Sequence, residues 1–597
     1  MGYENLRPDE IELAGRFDSF DDGKVMFGKQ KNKLPAMGWN SWNAFGSGNT
    51  EALTKAMADA IVELGLDKLG YKYLVLDDGC YKNERVDGLL SNEEVKFPSG
   101  FKALSDYIHG KGLKFGMYND IGTNLCAGAT VGTCGHEDDD ARSYVGWGVD
   151  FIKVDNCYYP WDNATFSNAE NARYTYAPNI KSITLRGNGV ERVLSAVKDG
   201  RLTGRVASVV DDEYVTGLGT FDGTGPENSP VGDMSSELIF EIDDMPQGEY
   251  SLVVEYATGK EVGAGQWLQV AVGYGDDEQM IYDDFLKETE GTDAFTCSTE
   301  LSVALSEGKN VLRLMNHRRQ ENTLCSYAAL LAGFAKADPD GDIVLSLCEW
   351  GKTQPQNWGY KVGDSWRILN DITFQVGSDG DPGRGTWESD YTTGVAVQYN
   401  KAVIMDEFAG LSKGWNDPDM LMIGMDGLDM TMCQTHFTMW AMMNSPLMLG
   451  LDFRRIKKGD EIYNIIANSD VIALNQDSLG IQAKRVYTTT GSEHPDTEYI
   501  KDNERVDVLA KPLSDGSLAI SFINLSKKNY EGVVEIDIDK ILSFIGKKMT
   551  DADAFSKAKA FEVTDLWTKE KETVSGRVLK AAGIKAHGNK TIKVKVV

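Results

Sequence analysis

From Leu34 onward one grammar recurs: a short apolar run ending in polar or aromatic residues, then a helical stretch. The runs are MGWNSW (37–42), YLVLDD (73–78), LKFGMYND (113–120), FIKVDN (151–156), IVLSLCEW (343–350), SWRILND (365–371), NDPDMLMIG (416–424) and SPLMLGLD (445–452). Near-continuous apolar runs that alternate with helical stretches such as EALTKAMADAIVELGLDKLG specify parallel strands covered on both faces. Eight of them predict a closed (β/α)8 TIM barrel in two parts, residues 34–185 and 337–480.

Residues 186–336 obey a different rule. ELIFEI, YSLVVEY, WLQVAVGY, TELSVAL and NVLRLM are short β-rich runs separated by Gly/Asp turns, which predicts a β-sandwich inserted into the barrel. It is expected to interrupt the helix-to-strand connection before the fifth strand, on the barrel face opposite the strand C-termini. From 481 to 597 the pattern is again all β, with Asp515-Gly516 marking a hairpin, and a C-terminal antiparallel β-sandwich follows. Residues 1–33 read as an N-terminal extension to which no role can be assigned. The whole is a multidomain chain.

Several function classes drop out. A formal charge of −30 without a basic cluster argues against a nucleic-acid partner, and no apolar run reaches the length of a membrane span. The eight cysteines include no CxxC pair and the six histidines no HxxxH, and neither GxGxxG nor a P-loop is present. No metal and no organic cofactor is expected. No secretory h-region follows Met1, yet sequons at Asn163, Asn524 and Asn589 and the acidic pI fit a secreted glycoprotein.

Polar residues at barrel strand C-termini converge on one rim. Here they are Trp39, Trp42, Asp77, Asp78, Tyr118, Asp120, Lys153, Asp155, Glu349, Trp350, Arg367, Asp371, Asp417 and Asp419. Aromatics offer a platform for a sugar ring, and charged groups supply the directional hydrogen bonds that hydroxyls need. Paired carboxylates suit glycoside hydrolysis. Asp155, two residues from Lys153 on one face, is expected to have a lowered pKa and to be the nucleophile. Asp371 needs a raised pKa to act as acid/base, so Arg367 is expected to face the sugar more than Asp371.

The motifs LPAMGWNSWNAF, LDDG, KFGMYNDIGTNLCAG, WGVDFIKVDNC, SLCEWG, SWRILND, WNDPDML and SPLMLGLD resemble, in order, those of glycoside hydrolase family 27, the α-galactosidases of clan D. The resemblance continues through LAKPLSDGSLAISFIN and VTDLW. It implies a retaining exo-glycosidase acting on terminal α-galactosyl groups of oligosaccharides or galactomannan, with Asp155 as nucleophile and Asp371 as acid/base. It further implies galactose contacts from Trp42, Asp77, Asp78, Tyr118, Lys153, Glu349, Trp350 and Arg367, and a disulfide joining Cys126 to Cys157.

This chain departs from the family's usual DDCW: it has Asp77-Asp78-Gly79-Cys80, with Gly46-Ser47-Gly48 where a partner cysteine would stand. That leaves Cys80 unpaired or paired with Cys134, and Cys297 with Cys325 forms another candidate pair. The insertion is similar to carbohydrate-binding modules of family 35 or 6, and a spacer or a homo-oligomer contact is the other reading. On the same fold, the alternatives are a β-L-arabinopyranosidase, an α-N-acetylgalactosaminidase and a non-catalytic sugar-binding protein. A general acid that stays protonated beside an ionised Asp155 implies an acidic working pH.

Overall fold

The computed structural model describes residues 32–158, 177–204, 207–219, 236–258, 266–389 and 392–597. The extension before residue 32 and the sequon at Asn163 lie outside the described residues. Eight parallel strands form one sheet: β1 (Met37–Asn40), β2 (Tyr73–Val75), β3 (Lys114–Asp120), β4 (Phe151–Asp155), β5 (Val344–Cys348), β6 (Ser365–Arg367), β7 (Trp415–Asp417) and β8 (Leu447–Leu449). Neighbours in sequence are neighbours in space from β1 to β7, and β8 pairs with β1. Leu421, just past β7, closes the ring by donating its N–H to Met448 O at 2.8 Å.

Strand alternation fixes what faces inward. Phe151 packs with Val75, Val344, Met420 and Met448 in one cluster, while Ile152 and Val154 join the larger core beneath the helices. Lys153 and Asp155, in phase with Phe151, are thereby aimed into the barrel. Helix α1 (Glu51–Leu64) shows how the outer layer forms. Thr50 caps its first turn by accepting from Leu53 N, Gly65 ends it at φ 73°, and Leu53, Met57, Ile61 and Leu64 bury one stripe. Helices α2 (Gly100–Gly110) and α3 (Glu137–Trp147) follow β2 and β3.

The helix after β4 is α4, Arg318–Ala337, which corrects the expected extent of the insertion. Leu324, Leu330, Leu331 and Phe334 pack into the barrel core, Tyr327 donates to Val154 O at 3.2 Å, and Lys336 pairs with Asp138 of α3. The sandwich therefore ends before residue 318 and not at 336, and it begins before 186, because strand Asn179–Gly187 is part of it. It interrupts the connection from β4 to α4, on the face where the strands end, and not the helix-to-strand connection. The polar side of α4 hid this from pattern reading. Arg318, Arg319, Gln320, Asn322 and Thr323 are buried although a barrel helix ordinarily turns such residues to solvent.

The insertion is two antiparallel sheets around their own apolar core. One holds strands Gln279–Phe285, Trp267–Val272, Asn310–Met315, Leu238–Ile242 and Gly200–Leu202; the other is centred on Gly248–Ala257 between Cys297–Leu305 and Asn179–Gly187. Its two ends meet: a Cβ on Gly219 would stand 2.8 Å from Asn316 Cβ and 3.1 Å from Ala177 N. Trp267 belongs to the barrel-side cluster and Phe285 packs against it, and Arg318 pairs with Asp283, so the sandwich is docked on α4.

In the barrel's second part, α5 (Val395–Ala402) and α6 (Met430–Met442) flank β7. The C-terminal sandwich has a six-stranded sheet and a two-stranded one around a third core. Its contact with the barrel joins apolar residues, with Leu509, Ile523, Leu525 and Leu566 in the barrel's core cluster, to a buried polar group: Asp507 receives Tyr399 Oη of α5 at 3.1 Å and pairs with Arg485 and Arg505. Among the described residues no helix is long and apolar enough to cross a membrane.

Candidate active site

At the strand C-termini lies a cleft of about 620 Å³ walled by Trp42, Asp77, Asp78, Tyr118, Cys126, Lys153, Asp155, Trp350, Arg367, Asp371, Phe374, Asp419 and their neighbours. Asp155, at the end of β4, accepts from Tyr118 Oη at 3.0 Å. Lys153 is not its partner. Lys153 Nζ donates to Asp77 Oδ2 at 2.8 Å, and Asn40 Nδ2 donates to that same oxygen, also at 2.8 Å. Burial pushes the Asp155 carboxyl above its ordinary value, while Lys153 and the buried Lys352 pull it down. The expected lowering is thus reversed, because burial outweighs the pull of the nearby ammonium groups.

Asp371, four residues past β6, accepts from Arg367 Nη2 at 2.9 Å, and the same nitrogen stands 2.9 Å from Asp419 Oδ2. Arg367 therefore engages Asp371 directly, contrary to the expectation from sequence. Asp371 is nevertheless raised, by burial and by the negative charges of Asp419 and Asp155, which outweigh the guanidinium.

Four buried polar atoms of residues in the cleft wall have no partner among the described residues: Asn43 Nδ2, Asp78 Oδ1, Trp350 Nε1 and Arg367 Nε. Leaving such atoms unsatisfied is costly, so their gathering at one cavity marks where a polyhydroxylated ligand supplies what the fold withholds. Asp78 Oδ2 accepts from Ala127 N at 2.7 Å, and burial raises its carboxyl to about 6.

Some rim residues predicted from sequence lie elsewhere. Glu349 is fully buried behind the wall, where its carboxylate accepts from Asn156 Nδ2 and Thr353 N. Trp350 sits at φ 58°, and this left-handed turn separates its ring from the Glu349 carboxylate. Trp39 is core, donating to Leu451 O, and Asp120 accepts the N–H groups of Gly122 and Cys157. Cys126 and Cys157 form a disulfide, with Cys126 Sγ 3.5 Å from Asp155 Oδ2, whereas Cys80 is a buried free thiol. Among the described residues the cluster that could hold a metal is Asp120 with Cys126 and Cys157, and its two sulfurs are committed to that bond. Pattern reading passed over Phe374, Asn370 and Lys352. Phe374 follows the Asp371 motif as a lone aromatic in a polar stretch, a signal too common to single it out.

Carboxylates, a guanidinium and aromatic faces gathered at the C-terminal rim of a parallel barrel are the apparatus of a glycoside hydrolase. A family model described as alpha galactosidase A matches residues 34–182 and 345–477, and one for the alpha galactosidase C-terminal beta sandwich domain matches 503–594. An α-galactosidase of Oryza sativa subsp. japonica is 26% identical over 84% of this chain and 74% of its own length. Alpha-galactosidase A of Cellvibrio japonicus is 25% identical over 94% and 91%. The α-galactosidase of Saccharomyces cerevisiae, solved with raffinose, shares the fold at a TM-score of 0.57 and 20% identity, over 94% of this chain and 98% of that one. The chain belongs to the α-galactosidase family, glycoside hydrolase family 27.

Proposed function

We propose that the protein is a retaining exo-α-galactosidase that releases terminal α-galactose from oligosaccharides such as raffinose and from galactomannan side chains. The observation that carries this reading is the meeting of Asp155 and Asp371 in one cleft with the unpartnered atoms of Asp78, Trp350 and Arg367. In the first step an Asp155 carboxylate oxygen bonds to the anomeric carbon as the bond to the leaving oxygen breaks and Asp371 delivers its proton there. In the second, Asp371 takes a proton from water, whose oxygen displaces Asp155 and frees galactose. The Tyr118 hydroxyl and the charges of Lys153 and Lys352 favour the Asp155 anion, and burial with Asp419 keeps the proton on Asp371.

Asp77 is held in place by Asn40 and Lys153, and Asp78 keeps an oxygen open, which suits a sugar bearing a hydroxymethyl group. Comparing kcat/KM on p-nitrophenyl α-galactoside, β-L-arabinopyranoside and α-N-acetylgalactosaminide tests this reading. The galactoside is expected to lead, and a pentoside preference overturns the substrate assignment.

A secreted location is supported by the Cys126–Cys157 disulfide, which persists in oxidising compartments. Glycosylation draws no support from the described sequons. Asn524 is buried with its amide donating to Lys528 O and Lys585 O, and Asn589 donates to Thr435 Oγ1.

A further inference from the structure

We propose that Phe374 is the platform of a leaving-group subsite, so that this protein selects substrates by whether the group attached to galactose presents a flat apolar face. The proposal rests on the α-galactosidase reading above. Phe374 is 53% exposed, and among the described residues it is the large, exposed apolar side chain that lines the cleft holding Asp155 and Asp371.

Its exposure is not that of an untethered loop. The preceding residue but one, Ile372, is buried, and its N–H donates to Asp419 Oδ2 at 2.8 Å, the carboxylate that also holds Arg367. Thr373 donates its hydroxyl to Arg384 O at 2.9 Å and accepts from Gln375 N at 3.0 Å. The backbone on both sides of Phe374 is thus pinned, one side to the charge cluster around Asp371. A fixed aromatic that is half exposed at the wall of a sugar cleft has surface to gain from a ligand.

The side of the cleft follows from the chemistry. A general acid must stand within hydrogen-bond reach of the oxygen it protonates, so the leaving group departs past Asp371. Phe374 is three residues from Asp371 in the same pinned segment, and Asn370 and Thr373 of that segment line the cleft beside it. A phenylalanine ring stacks on the C–H face of a sugar or on an aryl ring and fixes no hydroxyl pattern, because it carries no polar handle. The subsite therefore discriminates by shape and apolar area more than by the identity of the sugar.

The test is a leaving-group series on wild type, Phe374→Ala and Phe374→Tyr: α-galactosyl fluoride, p-nitrophenyl α-galactoside and raffinose. Fluoride offers nothing to stack on. For Phe374→Ala, kcat/KM should fall about tenfold on the aryl galactoside and on raffinose, yet stay within about twofold on the fluoride, and Phe374→Tyr should restore most of the loss. An equal loss on all three substrates, or no loss on any, overturns the subsite. Wild type inert toward the fluoride and the aryl galactoside would overturn the activity itself, and the subsite with it.

Discussion

Asp371 and Asp419 share one nitrogen, with Arg367 Nη2 lying 2.9 Å from a carboxylate oxygen of each. Asp419 thereby does two things to the proton on Asp371. Its charge raises the Asp371 pKa, and it draws off part of a guanidinium that would otherwise lower it.

Both effects vanish in Asp419→Asn, and both have the same sign. Asp371 should lose its proton at lower pH in the variant. The alkaline limb of the kcat/KM profile on an aryl galactoside should move toward acid, and a limb that stays put or moves toward alkali contradicts the assignment of that limb to Asp371.

Lys153→Met acts at the opposite limb. It removes a positive charge that favours ionised Asp155 and leaves Asp77 without its ammonium. The Asp155 carboxyl, already raised by burial, rises further, so the acid limb should shift to higher pH and kcat should fall by roughly 10²–10³. A pH profile of the variant across the acid range reads both.

The barrel was legible because eight apolar runs end on polar residues, and Asp155 and Asp371 were legible because such runs place them on one rim. What escaped was decided by contacts between distant segments. Nothing in FIKVD states that Lys153 turns to Asp77 instead of Asp155, since both carboxylates are in reach and only the register of β2 on β3 and β3 on β4 chooses. Glu349 was misplaced because the left-handed turn at Trp350 is invisible in the letters. Helix α4 was lost because the sandwich buries its polar side.

That last correction is testable by two deletions. Replacing residues 186–336 with a short linker removes α4 and its barrel-core residues Leu324, Tyr327 and Phe334, and should give an unfolded or aggregated chain. Replacing 178–315 instead cuts where Ala177 and Asn316 already approach through Gly219, and should leave a folded barrel with kcat/KM on a small aryl galactoside within about threefold, since none of the described sandwich residues lines the cleft. Far-UV circular dichroism, thermal melting and kinetics on both deletions decide the matter.

At the contact of barrel and C-terminal sandwich, burial works against the Asp507 anion, and Arg505 and Arg485 outweigh it, leaving its pKa below the ordinary value. A depressed folded-state pKa contributes stability that is present above the unfolded value and is lost as pH falls through the folded one. Arg505→Met leaves the buried carboxylate with Arg485 and Tyr399 and should destabilise at neutral pH by up to about 3 kcal/mol. The difference from wild type in denaturant midpoint should narrow as the pH is lowered through the carboxylate range.

The central claim is that Asp155 attacks the anomeric carbon. Incubating the enzyme with a fluorinated galactosyl fluoride, which forms the glycosyl ester quickly and releases it slowly, then digesting it and mapping the adduct by mass spectrometry tests this directly. The label should sit on the peptide containing Asp155, at Asp155, and should be absent from an Asp155→Asn variant that folds normally. Label on Asp371, Asp78 or any other carboxylate, or turnover retained by Asp155→Asn, would contradict the account.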